Sequence, residues 1–155
     1  MSCTFEVKKL NRQLIRDVMR GGHSYTKADI GRETGLSLAT CGTILNEMLQ
    51  TKEVLEAARQ KSSGGRPAVC YQYNKDYYRM IGLYADNGSA CGHLGYVVYN
   101  ALEEVIEEGR ENVREVNVES IIQKLDLLMD SYENVRGISI GCLLYTSPSP
   151  RDRSL

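Results

Sequence analysis

The stretch from Thr26 to Leu49 constrains the fold of this chain more than any other part of it. Thr26 is a good N-cap and opens a helical pattern through Ala28, Ile30 and Arg32 to Thr34. Gly35 ends it, because glycine enters the left-handed conformation just past a helix without a Cβ penalty. After Leu36, Ser37 caps a further helix over Leu38–Leu49. The apolar face of that helix holds Cys41, Leu45 and Met48, with Ile44 at its margin. Two short helices joined by a turn containing Gly, the second capped by Ser, make a helix-turn-helix pattern. In that motif the second helix enters a DNA groove.

The flanks extend the pattern. Leu14, Ile15, Val18 and Met19 share one face of a helix over Asn11–Arg20, which Gly21-Gly22 stops. Glu53–Ala57 reads as a short strand and Val69–Asn74 as its return. Between them, Arg59–Ala68 is a polar, basic, Gly-rich loop. A hairpin directly after a helix-turn-helix is a wing, so residues 1–79 are expected to form an α+β winged helix-turn-helix domain.

Beyond a polar and aromatic junction at Lys75–Arg79 the pattern turns to strands. Met80–Tyr84 and Gly92–Tyr99 are apolar runs, Asn100-Ala101 sits at a turn, and Glu103–Glu108 alternates. Val118–Ser131 carries Ile121, Ile122, Leu125, Leu128 and Met129 at helical spacing, and Val135–Ile140 is the next strand. Three strands, a helix and a strand over residues 80–141 open an α/β domain and do not complete it; about sixty residues cannot cover both faces of such a sheet.

Charge divides at the same place. Residues 1–79 hold 13 Lys and Arg against 8 Asp and Glu, whereas residues 80–141 hold 4 against 11. A basic front half suits a polyanion, although solvated charge clustered by chance gives the same count. The five cysteines (Cys3, Cys41, Cys70, Cys91, Cys142) are an odd number with no CxxC pair, and the histidines are His23 and His93 alone. That argues against a disulfide framework or a metal site and for a reducing cytoplasm. There is no secretory signal and no run of eighteen apolar residues, so no membrane partner is expected.

In the third helix the positions opposite the apolar face are Ala39, Thr40, Gly42, Thr43 and Asn46. Ser37, Thr40 and Thr43 can reach phosphates or base edges, Ala39 and a Thr methyl can touch thymine methyls, and Asn46 can pair with adenine. The same residues also describe the plain polar face of a surface helix. Lys27 stands at the start of the second helix as a further candidate contact. In the loop, Arg59, Lys61 and Arg66 supply cations, and Gly64 and Gly65 allow close backbone approach. Pro67 holds Arg66 extended, a shape suited to a minor groove. A protein-contacting winged helix would want an apolar outer face on the third helix instead.

Thr34–Cys41 (Thr-Gly-Leu-Ser-Leu-Ala-Thr-Cys), Ser63–Ala68 (Ser-Gly-Gly-Arg-Pro-Ala) and Tyr71–Asn74 together resemble the N-terminal part of ROK-family regulators, over roughly Asn11 to Gly141. The family groups repressors and sugar kinases on an actin-like ATPase fold. The resemblance implies a homo-oligomeric repressor that binds an operator in double-stranded DNA and responds, when full length, to a sugar or sugar phosphate. It implies that Ser37–Asn46 is the major-groove helix, that Gly65-Arg66-Pro67 reads the minor groove, and that residues 80–141 are the truncated start of the actin-like sensor. The alternative is a sugar kinase with an appended DNA-binding domain. Kinases of the family open that domain with a loop resembling Gly-Ile-Asp-Ile-Gly-Gly-Thr. Here Gly82–Gly88 puts Tyr84 at the acidic position and lacks the paired glycines; Asp86 takes an acidic role only in a shifted register. No cofactor and no catalysis are expected, since the family's sugar-binding, catalytic and zinc-binding segments would lie beyond residue 141. Residues 142–155 are expected to be an artefactual, disordered tail, because Cys142–Asp152 resembles a translated sequencing adapter.

Overall fold

The computed structural model describes residues 2–60, 68–87 and 92–143, with side chains for 5–58, 68–86 and 92–141. The chain is α+β and divides into two compact units, Met1–Tyr77 and Tyr78–Leu155.

The first unit contains helix α1 (Ser2–Met19), strand β1 (Tyr25–Thr26), helices α2 (Lys27–Thr34) and α3 (Leu38–Gln50), and strands β2 (Val54–Gln60) and β3 (Ala68–Tyr73). The three strands form an antiparallel sheet in the order β1-β3-β2. The core is built from Ile15 and Met19 of α1, Ile30 of α2, Cys41, Ile44, Leu45 and Met48 of α3, and Val54, Cys70, Tyr71 and Tyr73 of the sheet. Ile44, read at the margin of the apolar face of α3, is buried within it.

The capping chemistry behaves as the residue types dictate. Asp29 N donates to Thr26 Oγ1 at 3.2 Å and Thr26 N donates to Asp29 Oδ2 at 3.0 Å, a reciprocal box at the start of α2. The Thr26 hydroxyl, which donates to Asp29 Oδ2 at 2.7 Å, and after it the Thr26 N–H hold the Asp29 carboxyl below the usual carboxylate range. Gly35 ends α2 at φ 71°, with its N–H on Gly31 O at 2.9 Å. Ser37 Oγ then accepts from Thr40 N at 3.1 Å and starts α3.

Two elements differ from the sequence reading. Helix α1 begins at Ser2, not Asn11, because nothing between them breaks a helix. Phe5, Val7 and Leu10 are exposed on it, so burial periodicity does not mark that part. Strand β1 was not expected at all. Two residues carry no periodicity, and they form a strand only because Tyr25 and Thr26 pair with Tyr71 and Cys70.

The second unit holds β4 (Arg79–Asn87), β5 (Gly92–Tyr99), β6 (Val105–Val113), α4 (Val118–Ser131) and β7 (Val135–Leu143). Its sheet runs β6-β5-β4-β7, antiparallel except that β7 lies parallel to β4 after the α4 crossover. Ile81, Leu83 and Ala85 alternate along β4 and meet Leu94, Val98 and Leu128 in the core. Strand β6 starts later and runs longer than Glu103–Glu108. Asn100 Oδ1 accepts from Leu102 N (2.9 Å) and Glu104 N (3.0 Å), which holds Glu103 in the turn at φ 63°. Strand β7 continues through Leu143, two residues into the segment expected to be tail, paired to Asp86 of β4.

Candidate nucleic-acid interface

Helix α3 turns one uncharged, hydrogen-bonding face to solvent. Ala39, Thr43 and Asn46 are exposed along it, and Gln50, one turn further, is exposed on the same face. Gln50 was missed because the helical pattern was read only to Leu49. Its signal is spacing, four residues after Asn46 and seven after Thr43. Thr40 is half-buried at one edge, and its hydroxyl lies 2.9 Å from Ser37 Oγ. Thr43 donates its hydroxyl to Ala39 O at 3.1 Å, so it offers a methyl group and acceptor lone pairs outward rather than a donor. Ser37 is exposed, with its Oγ used as the helix cap. The four cap and face residues Ser37, Ala39, Thr43 and Asn46 therefore share a surface, with Thr40 at its border.

Lys27 joins that surface through Gly42. A Cβ at Gly42 would lie 3.2 Å from Lys27 Nζ and 3.5 Å from Lys27 Cε, so the bare backbone of α3 makes room for the lysine to lie across it. Strand β1 sets this up. By pairing Thr26 with Cys70 it pins the start of α2 beside β3, and Thr26, Lys27, Leu38, Ala68 and Val69 line one groove there. The start of α2, the start of α3 and the loop end of strand β3 thus converge on one side of the unit. The hairpin arms remain paired out to Gln60 and Ala68, with a bulge between Ala57 and Gln60. Lys61, Gly64, Gly65 and Arg66, the expected loop contacts, lie outside the described residues.

A buried carboxylate that sequence reasoning passed over fixes the scaffold beneath this surface. Glu53, read as the first residue of a strand, is fully buried. Arg12 Nε donates to Glu53 Oε2 at 3.1 Å, Arg16 Nε donates to Oε1, and the Tyr73 hydroxyl donates to Oε1 at 3.3 Å. Burial pushes the Glu53 carboxyl up, but the hydrogen bonds from Arg16 and then Arg12 outweigh it and hold the group below the usual carboxylate range. Arg16 is raised in turn, chiefly by its bond to Glu53. One charge cluster thereby joins α1, the exit of α3 and strand β3. The available signal was the pair Arg12 and Arg16, one helical turn apart on α1.

In the second unit, Tyr84 is the residue that the resemblance sets at the acidic position of the family's kinases. Its ring lies flat over the neighbouring strand: a Cβ on Gly95 would fall 1.8 Å from Tyr84 Cζ. Asp86 is half-buried, and the loop at 88–91 lies outside the described residues. On the α4 face, Tyr96 and Tyr132 both donate to Glu107, Tyr96 at 2.6 Å, and Lys124 Nζ sits 4.3 Å above the Tyr96 ring. The bond to Glu107, more than burial, pushes the Tyr132 hydroxyl up to about 12.

An α+β chain of this order has the fold of a ROK family transcriptional regulator. One solved structure of such a regulator, a homologue of the Escherichia coli MLC protein, matches the chain. The two superpose with a TM-score of 0.61 at 19% identity, over 88% of this chain and 36% of that one. Among curated relatives, the chain is 29% identical over 108 residues to the xylose repressor of Caldicellulosiruptor bescii, covering 70% of this chain and 26% of that protein. It is 23% identical over 138 residues to the xylose repressor of Bacillus subtilis, covering 86% and 36%. It thus spans about a quarter to a third of the length of these relatives. No protein-family model matches the chain. The resemblance to the N-terminal part of ROK-family regulators, drawn from Thr34–Cys41 and the Gly-Arg-Pro loop, holds.

Proposed function

We propose that the Met1–Tyr77 unit is a winged helix-turn-helix that reads duplex DNA, and that the whole protein is a sugar-responsive transcriptional repressor. The observation that carries this reading is the outward face of α3, where Ala39, Thr43, Asn46 and Gln50 form a strip without charge, bordered by Lys27 and the hairpin. Side chains of these types distinguish bases by hydrogen bonds and methyl contacts in a major groove. The β2–β3 hairpin is the wing, and Arg66 enters the adjacent minor groove. Relatives that are themselves named xylose repressors favour a carbohydrate effector and an operator partner over a catalytic role.

The second unit is the start of an actin-like sensor that does not catalyse phosphoryl transfer. Tyr84, laid against Gly95, supplies no carboxylate at the acidic position. Ile138 and Ile140 share the face of Ile81 and Leu83 by register yet are 44% and 54% exposed, so that sheet face has room for a further covering element. The full-length protein acts in the cytoplasm as a homo-oligomer on a palindromic site. Among the described residues no helix is long and apolar enough to cross a membrane.

The test is selection of duplexes from a randomised pool by the chain, followed by anisotropy titration. An enriched A·T-containing sequence should emerge, and Arg66→Ala should bind it several-fold more weakly. No enrichment over input would refute the reading.

A further inference from the structure

Helix α3 poses an electrostatic problem for a DNA reader. Leu38–Gln50 contains no Lys or Arg and one carboxylate, Glu47. Half or more of the hydrogen bonds in a protein–DNA interface go to phosphate and sugar, so the cations must come from neighbouring elements. At about 3.6 residues per turn, Gly42 and Leu49 mark one edge of the reading face, and Thr40 and Glu47 mark the other. Lys27 covers the Gly42 edge. The opposite edge faces α1, whose Lys8 Nζ donates to Glu47 Oε1 at 2.6 Å. Beside that ion pair, Val7, Lys8 and Asn11 of α1 and Thr40, Thr43 and Ile44 of α3 line a single groove. Thr43 belongs to the reading face itself, so the groove opens onto it.

Resting on the reading above, we infer that this α1–α3 groove seats a backbone phosphate of duplex DNA. The seat makes α1 a DNA-contacting element on the side of α3 opposite Lys27. The chemistry fits a phosphodiester. An ammonium has three donors, and Glu47 takes one, which leaves two for non-bridging oxygens. Asn11 adds an amide and Thr40 a hydroxyl at the same opening. Lys8 also cancels the one carboxylate of α3 that would otherwise face the phosphates. A helix lying in a major groove has a phosphate strand along each side, and Lys27 and Lys8 are placed one to each.

The experiment is anisotropy titration of the full chain on two labelled duplexes, one recovered by selection and one of scrambled sequence, across a salt series. Lys8→Gln should weaken binding to both by the same several-fold factor and lower the salt slope by about one. Glu47→Gln, which frees the third donor, should tighten both. Arg20→Gln makes the same charge change just past the end of α1, about 18 Å away along the helix axis, and should do neither. Thermal melts of each variant exclude unfolding as the cause. If Lys8→Gln and Glu47→Gln leave affinity and slope unchanged, or Lys8→Gln does no more than Arg20→Gln, the phosphate seat is refuted. The proposed function survives that result as long as Asn46→Ala still erodes preference for the selected duplex. A chain that binds neither duplex, or prefers neither, refutes the proposed function and the phosphate seat with it.

Discussion

At the scale of single residues, Asn46 and Glu53 separate reading from scaffolding. Asn46 is exposed at the centre of the α3 face. Asn46→Ala should leave the thermal midpoint in place and cost about 1–3 kcal/mol of discrimination at one adenine, read as lost preference between the selected duplex and a single-base variant. Glu53 is the reverse case. Removing one partner of a buried ion pair typically costs about 3–5 kcal/mol. Glu53→Ala should fall near the lower end, because Arg12 and Arg16 keep 24% and 29% exposure and can rehydrate. The acid limb carries the same signature. The folded-state carboxyl sits below the ordinary value of 4.5, so its contribution is full above that value and is lost as pH falls through the folded pKa. Melts of the native chain should therefore drop steeply below about pH 4.5, and those of Glu53→Gln should drop less steeply in that range. Equal slopes would show that the cluster carries no linkage. The two roles are not equally legible in the sequence. Asn46 follows from helix period alone, whereas the burial of Glu53 depends on α1 crossing to the start of β2, a contact 37 to 41 residues apart.

At the scale of elements, the local code was legible wherever a cap or a stop set it. Thr26, Gly35 and Ser37 bound α2 and α3 as their chemistry requires. Elements defined by partners were not legible. Strand β1 exists through its pairing with β3, and the front half of α1 carries Phe5, Val7 and Leu10 into solvent, where apolar period reports no burial. At Gly42 the missing side chain admits Lys27 across the backbone of α3. Gly42→Ala should stabilise α3 by about 0.5–1 kcal/mol through helix propensity, since the atom it meets is the far end of a flexible chain. The same change should weaken DNA binding by displacing the ammonium. Chemical denaturation and anisotropy on one preparation would test both signs together, and a gain in both would contradict the placement of Lys27.

At the scale of the whole molecule, the change from basic to acidic composition at residue 79 falls two residues past the division between the compact units after Tyr77. The basic unit gathers the cap, the strip of α3 and the hairpin on one side, while the acidic unit carries an apolar sheet face around Ile138 and Ile140. The central claim is that the chain meets DNA through α3. Hydrogen–deuterium exchange of the full chain, with and without the selected duplex, tests it most directly. The account predicts added protection in Lys27–Thr34, Leu38–Gln50 and the arms of the β2–β3 hairpin, with little change in the strands of the second unit. Protection confined to Arg79–Leu143, or none in Leu38–Gln50, would contradict it.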